Sequence, residues 1–417
     1  MKSSYMPWRA LWKYLGGTAA SRAGDEMTGP ALLLLGFAVT GGPGTGSALL
    51  AGLTVAAAAG GPVFGALLDR SPRPHRVLAV TLAAYALGII AVAAAAGRLP
   101  VPVTVLIALA VGLFTPAVAG GWTSQLPGIV TGPVLDRGFA LDAMTYSAAS
   151  LAGPALAAMV AATLGARTAV VVAAALVALA VPSACSLSRH PAARGGGPRS
   201  APHRQVAAGF AAILTRRSLR RATVTSVVSY AGIGMLLVCC PVLGAQRLGG
   251  AARGALLISA IAAASLIANG ILARRRCTPP GSPPGSPPAR GRPDAWILAS
   301  TLVIGVSMAT AAAAPGWLTM AAVALGGAGE GPQLTALFAV RHRESPEHLR
   351  GQIFTTAASL KIGGLAAGAA LAGPLVGQSV TACLLVAAGF ELCGAAAYVL
   401  TGSGRRWPGA STTPRSE

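Results

Sequence analysis

The sequence predicts an all-α integral membrane protein, with twelve transmembrane helices arranged as two pseudo-symmetric six-helix bundles. Three observations predict it. Charged residues make up only 10% of the 417 residues and hydrophobic residues 54%, whereas a soluble domain carries about 25% charged side chains. Apolar stretches of about 20 residues, the length that crosses a bilayer, follow one another along the chain. The basic residues behind the net charge of +21 fall in short clusters between these stretches.

The predicted spans are, in order, 15–39, 47–68, 76–96, 101–121, 139–162, 167–187, 221–243, 253–273, 295–314, 317–339, 352–376 and 379–401. Alanine, glycine and leucine dominate them, and small residues let membrane helices approach closely. Ahead of span 1, MPWRALWKYL mixes Trp8, Trp12 and Tyr14 with Arg9 and Lys13. That mixture predicts a short helix lying in the membrane interface. No cleavable signal peptide is expected, because Arg22, Asp25 and Glu26 interrupt the first apolar stretch.

Charge sets the orientation. With the N-terminus inside, only Arg98, Arg167, Arg247 and Arg253 fall in outer loops, and the other basic residues outside the spans fall in inner segments. This distribution follows the positive-inside rule, so both termini are expected in the cytoplasm. Basic clusters at span ends also exclude a nucleic-acid binder, whose bases gather on a polar domain with stacking aromatics. Only Lys2, Lys13 and Lys361 are lysines, as coding bias from a GC-rich genome would produce.

The expected domains are residues 1–187 and 221–401, joined by a cytoplasmic linker 188–220, with a cytoplasmic tail 402–417. The linker opens with the basic, Gly- and Pro-rich SRHPAARGGGPRSAPHRQ, and PPGSPPGSPPARGRP is a second low-complexity loop. The halves echo each other, since Arg137-Gly138 before span 5 aligns with Arg350-Gly351 before span 11. Duplicated halves are a transporter design. The six cysteines lack metal-ligand spacing and read as small apolar filler. No nucleotide-binding loop, kinase set or nucleophile elbow is present. Neither an enzyme nor a cofactor is expected, and an ion gradient is the remaining energy source.

GGPVFGALLDRSPRPHR, between spans 2 and 3, carries the sharpest pattern: Gly65, then Asp69-Arg70, then Arg73 and Arg76. With twelve spans around it, this resembles the major facilitator superfamily over almost the whole chain. Pro72, Pro74 and the lack of a glycine after Asp-Arg depart from the family pattern. The resemblance implies alternating access, with the motif stabilising the outward-open state. Helix N-termini attract anions. Asp69 is therefore expected to meet the start of span 11 near Gly351, or Arg350 beside it; the alternative is a local contact with Arg70. Span 1 resembles that of exporters, and Gly153-Pro154 in span 5 partly matches their antiporter motif, although Ala157 and Ala158 replace glycines common there. The implied activity is proton-coupled export of a small amphipathic compound, with an importer or facilitator, or a non-transporting sensor, as alternatives. The expected partners are that small-molecule substrate, protons and the lipid bilayer, and the expected state is a monomer in the cell membrane.

Ionisable residues inside spans are costly and mark function by default. On span 1, Arg22 lies at i+3 from Asp25 and i+4 from Glu26 and can reach both. One acid is left in excess, which suits a proton carrier; a closed structural triad is the alternative. Glu330 in span 10 and Lys361 in span 11 each lie eleven residues from a basic end, about 16 Å deep. They are expected to pair, either as fixed packing or as a pair exchanged during transport. Gln333 is expected to touch substrate. Asp142 is read as complementing a helix N-terminus, and Glu391 has no evident partner.

Overall fold

The computed structural model describes residues 6–187, 202–250, 253–275 and 293–401, and within them the chain is helical with no strand. The basic stretch 188–201, the Pro-rich segment 276–292 and the tail 402–417 lie outside the described residues. The first half comprises α1 (Met6–Thr40), α2 (Pro43–Arg70), α3 (Pro74–Ala95), α4 (Val101–Gly112), α5 (Trp122–Gln125), α6 (Pro133–Leu164) and α7 (Ala166–Cys185). A linker helix α8 (Pro202–Thr215) follows. The second half comprises α9 (Arg217–Arg247), α10 (Gly254–Arg275), α11 (Pro293–Ala313), α12 (Leu318–Glu344), α13 (Arg350–Gln378) and α14 (Val380–Leu400).

Prolines set several starts. Pro43, Pro74 and Pro133 stand in the first turn, where a helix has no use for the missing N–H. At Gly165 the chain turns from α6 into α7 with φ of 90°, which only glycine adopts without strain. Span 4 is broken. After Pro116 the backbone widens into a π turn at Ala117–Gly121, then continues as α5 and a short 3₁₀ turn at Leu126–Gly128. Such bulges gather at functional contacts, and here Gly120 faces the backbone of Phe354 and Thr355 on α13.

Among the described residues ten segments are long and apolar enough to cross a membrane, with Val101–Gly128 counted as one. α1 and α12 complete the set of twelve at 35 and 27 residues. They are also the helices that carry Arg22, Asp25, Glu26 and Glu330. Large apolar side chains such as Leu87, Val80 and Leu179 stand outward.

One expectation needs correction. The N-terminal segment is not a separate interfacial helix but the first turns of α1. Leu11 and Tyr14 are buried there, and Gly17 lets α1 close on Trp122 and Ser183. Within the linker expected over 188–220, residues 202–215 form α8, and α9 begins at Arg217. α8 packs beside α13, with Gly209 against the Gln352 side chain, whose amide donates to the Val206 carbonyl (2.9 Å).

One apolar core spans the first half, with Leu334, Phe338 and Phe354 of the second half inserted into it. A second core joins α9, α10, α11, α12 and α14. Between the halves α2 packs on α13 and α6 on α10, the exchange expected of parallel repeats. The arginines at the end opposite Arg70 have a structural use. Arg167 donates to the carbonyls of Ala93 and Ala96 at the end of α3, and Arg247 to those of Ala311, Ala312 and Ala314 at the end of α11. Each satisfies orphan carbonyls where the helix dipole is negative.

Candidate functional site

The basic end is closed by the α2–α13 contact. The Asp69 carboxylate accepts hydrogen bonds from the backbone N–H groups of Gly351 and Gln352, both at 2.8 Å, at the start of α13. Ion–dipole attraction and two charge-assisted bonds act together there. Gly65 makes the approach possible, because a Cβ would collide with the Gln352 backbone and Thr355. One turn deeper, Thr355 Oγ1 donates to the Gly61 carbonyl (2.8 Å), the Gly61 N–H donates to Ser359 Oγ (2.9 Å), and Ser359 Oγ donates to the Ala57 carbonyl (2.6 Å). On the pseudo-symmetric face Ser147 and Ser265 join α6 to α10 at 2.8 Å. Arg73 and Arg76 are exposed and Arg70 is half-buried. Arg350 approaches Glu347 at 3.9 Å.

Aromatic rings fill the axis above this end. Phe338 lies 6.3 Å from Phe139, 6.2 Å from Tyr146 and 6.2 Å from Phe354 between ring centres. α6, α12 and α13 thus meet in an apolar plug.

Beyond the plug the ionisable residues take unexpected partners. Arg22 does not bridge Asp25 and Glu26. It is buried and forms an ion pair with Asp142 (2.9 Å) on α6. Thr123 and Tyr14 donate to the same carboxylate at 2.8 and 2.7 Å, and Arg22 also donates to Thr145. The guanidinium lies 3.6 Å from the centre of the Tyr146 ring. Helix direction explains the difference: Arg22 faces α6, where Asp142 supplies both oxygens, while Asp25 faces α3. Asp142 is therefore a buried counter-ion, not a helix-terminus charge.

Asp25 accepts from the Tyr85 hydroxyl at 2.5 Å. Glu26 and Asp25 are both partly exposed although they sit near the middle of α1. Gly153 of the antiporter-like pair packs against the backbone and Cβ of Glu26, and Pro154 follows inside α6.

Glu330 and Lys361 approach the same place without forming an ion pair. The Tyr230 hydroxyl donates to Glu330 (3.1 Å), and Lys361 Nζ lies 4.3 Å from the Tyr230 ring centre and 5.3 Å from that of Tyr146. The ammonium is held on aromatic faces, while the carboxylate takes the phenol. Both side chains are partly exposed. Mutual dependence is still expected, because a single phenol serves both. In a cycle of Glu330→Gln, Lys361→Met and the double variant, folded yield should depart from additivity by about 0.5–3 kcal/mol. Additive losses would show that the two charges do not sense each other.

Gln333 is not in this space. It is 1% exposed, and its amide donates to Ser229 (3.2 Å) and Thr301 (2.8 Å) between α9 and α11. It lies less than one turn from Glu330, but on the face turned into the second core. Arg341, at the basic end of α12, is 2% exposed, with Nε and Nη2 facing no acceptor.

The sequence reading gave Tyr14 only an interfacial place and no role to the other tyrosines. Each of the five among the described residues contacts an ionisable group: Tyr14 with Asp142, Tyr85 with Asp25, Tyr146 with Arg22 and Lys361, Tyr230 with Glu330 and Lys361, and Tyr398 with Asp294 and Arg221. With only six in 417 residues, their coincidence with charged spans was the available signal. No group of three or more metal-ligating side chains occurs among the described residues.

The fold is that of solved membrane transporters. The human organic anion transporter MFSD10 matches with a TM-score of 0.73 at 16% identity, covering 94% of this chain and 99% of that one. The Escherichia coli fucose:proton symporter FucP matches at 0.68 and 12% identity, covering 96% and 99%. The proton:xylose symporter XylE matches at 0.72 and 12% identity, covering 95% of each. No curated protein matches in sequence. The family model of the Major Facilitator Superfamily matches residues 14–359, and the chain, a multi-pass membrane protein, belongs to that superfamily.

Proposed function

We propose that this protein is a secondary active transporter that exports a small amphipathic organic compound by proton antiport and alternating access. In this reading residues 1–187 and 221–401 are the two moving bundles, joined by 188–220, and 402–417 is a tail. Both termini lie in the cytoplasm, and the protein works as a monomer in the cell membrane without a cofactor. One observation carries the reading. Asp25, Glu26 and Glu330 are partly exposed in the middle of α1 and α12, Lys361 shares the Tyr230 phenol with Glu330, and Arg22 is committed to Asp142. Carboxylates in excess bind a proton or a cationic group, and the two compete for them. A compound bearing an amine and an apolar or aromatic body suits three carboxyls beside Tyr146 and Tyr230.

The contacts at the basic end fit the outward-facing member of the cycle, with Asp69, Gly65 and the bases Arg70, Arg73, Arg76 and Arg350 forming the inner gate. Gly153 and Pro154 shape the α1–α6 contact beside Glu26.

Expression in an efflux-deficient host tests direction. Export predicts raised tolerance to amphipathic amines and lower cellular accumulation of them. Raised accumulation would favour proton symport, a second reading that two of the matching folds make reasonable.

A further inference from the structure

Glu391 lies outside the space just described and has no part in the proposed exchange. It sits in the middle of α14 at 0% exposure. Glycines make room for it on two sides. A Cβ at Gly232 of α9 would stand 3.2 Å from Glu391 Oε1, and one at Gly305 of α11 would stand 3.1 Å from its Cβ. Ser229 Oγ donates to Oε1 at 2.9 Å and accepts from the Gln333 amide at 3.2 Å. Gln333 also donates to Thr301.

Two acceptors are left over in this sealed cluster. Glu391 Oε2 and Gln333 Oε1 are both buried and face no donor. Among the described residues no cation forms an ion pair with the carboxyl. The ionisable group felt from α12 is Glu330, which has the same sign. On α14 itself Tyr398 is two turns away, where it serves Asp294 and Arg221. Lys361 of α13 is turned to Tyr230 and Tyr146. An ionised carboxylate among neutral hydroxyls, out of contact with water, would carry a large desolvation cost with nothing to offset it. A hydrogen on Oε2 removes the charge.

We propose that Glu391 is a proton-binding site of the second half, loaded in the conformation seen here and separate from the carboxyls of α1 and α12. The step is the transfer of one proton from hydronium to Glu391 Oε2: an O–H bond forms at Oε2, one O–H bond of hydronium breaks, and a water molecule is released. Ser229 and Gln333 are its positioning residues. Ser229 precedes Tyr230 and Gln333 follows Glu330 by three, so the same two helices that carry the central phenol and carboxyl hold this site on their other faces.

Infrared spectroscopy of the purified full chain tests this without any transport assay, so its outcome is independent of the exporter reading. The wild type at pH about 7, where an ordinary glutamate with a pKa of about 4.3 is ionised, should show a protonated-carboxyl C=O stretch that disappears in Glu391→Gln. The band should shift only slowly in D2O, because the site is sealed. Ser229→Ala, which removes the hydroxyl that donates to Oε1 at 2.9 Å, should move the band to the frequency of a less hydrogen-bonded acid while keeping it. The amide of Glu391→Gln has the shape and the donor of the neutral acid, so this variant should fold in wild-type yield. A wild-type spectrum unchanged by Glu391→Gln would overturn the proposal, because Glu391 would then be ionised. Collapse of the Glu391→Gln fold would overturn it equally, since a neutral isostere would then fail where a neutral acid was claimed.

Discussion

Replacing Arg22 with leucine should nearly abolish the folded yield. The substitution leaves the Asp142 carboxylate at 0% exposure with only Tyr14 and Thr123 to bind it. Breaking one partner of a buried ion pair costs about 3–5 kcal/mol, a large share of the stability of a marginally stable protein. Asp142→Asn should be nearly as damaging, because the guanidinium cannot lose its proton. The double variant Arg22→Leu/Asp142→Asn should recover most of the yield, since no charge is left buried. Monodisperse yield from size-exclusion chromatography reads this directly. Equal loss in the single and double variants would mean that packing of Arg22 under Tyr146, and not its charge, holds α1 to α6.

Asp69→Asn should shift the protein away from the conformation described here. The asparagine oxygen can still accept from Gly351 or Gln352, but the charge facing the α13 N-terminus is lost. Hydrogen bonds to a charged group contribute about 1.5–3 kcal/mol, so the balance between conformations should move by about tenfold or more. A cysteine placed at Ser265 in a chain whose native cysteines are serine reads the shift. Ser265 is 4% exposed against Ser147 on the α6–α10 contact. Its labelling by a soluble thiol reagent should rise by a similar factor in Asp69→Asn. Unchanged labelling would confine Asp69 to a local helix cap.

Much of the architecture was legible because a bilayer imposes simple rules. Length and apolarity placed the spans on the helices, although α1 starts at Met6 and not at residue 15, and the Gly65–Asp69 spacing put a carboxyl at the level of Gly351. Glu330 and Lys361 came out at a common depth because depth follows from counting along a helix. Facing did not follow. Alanine and glycine surround these helices so evenly that no apolar stripe distinguishes a lipid face from a cavity face. Gln333 and Glu391 therefore read as a cavity residue and a bystander, whereas they share Ser229 in the second core. Arg22 was assigned to neighbours on its own helix, while its counter-ion lies 120 positions away on α6. Sequence spacing detects partners within a helix, and contacts between helices depend on rotations that it does not encode.

The central claim is that the carboxyls of α1 exchange a proton for the exported compound. The most direct measurement is uptake of an amphipathic amine into proteoliposomes with an acidic lumen, for the wild type and for Asp25→Asn and Glu26→Gln. The account predicts that the wild type accumulates the amine above its external concentration and loses that gradient when a protonophore is added. At least one variant should lose uphill accumulation while still exchanging labelled for unlabelled compound. Uphill accumulation that is unchanged in both variants would contradict it.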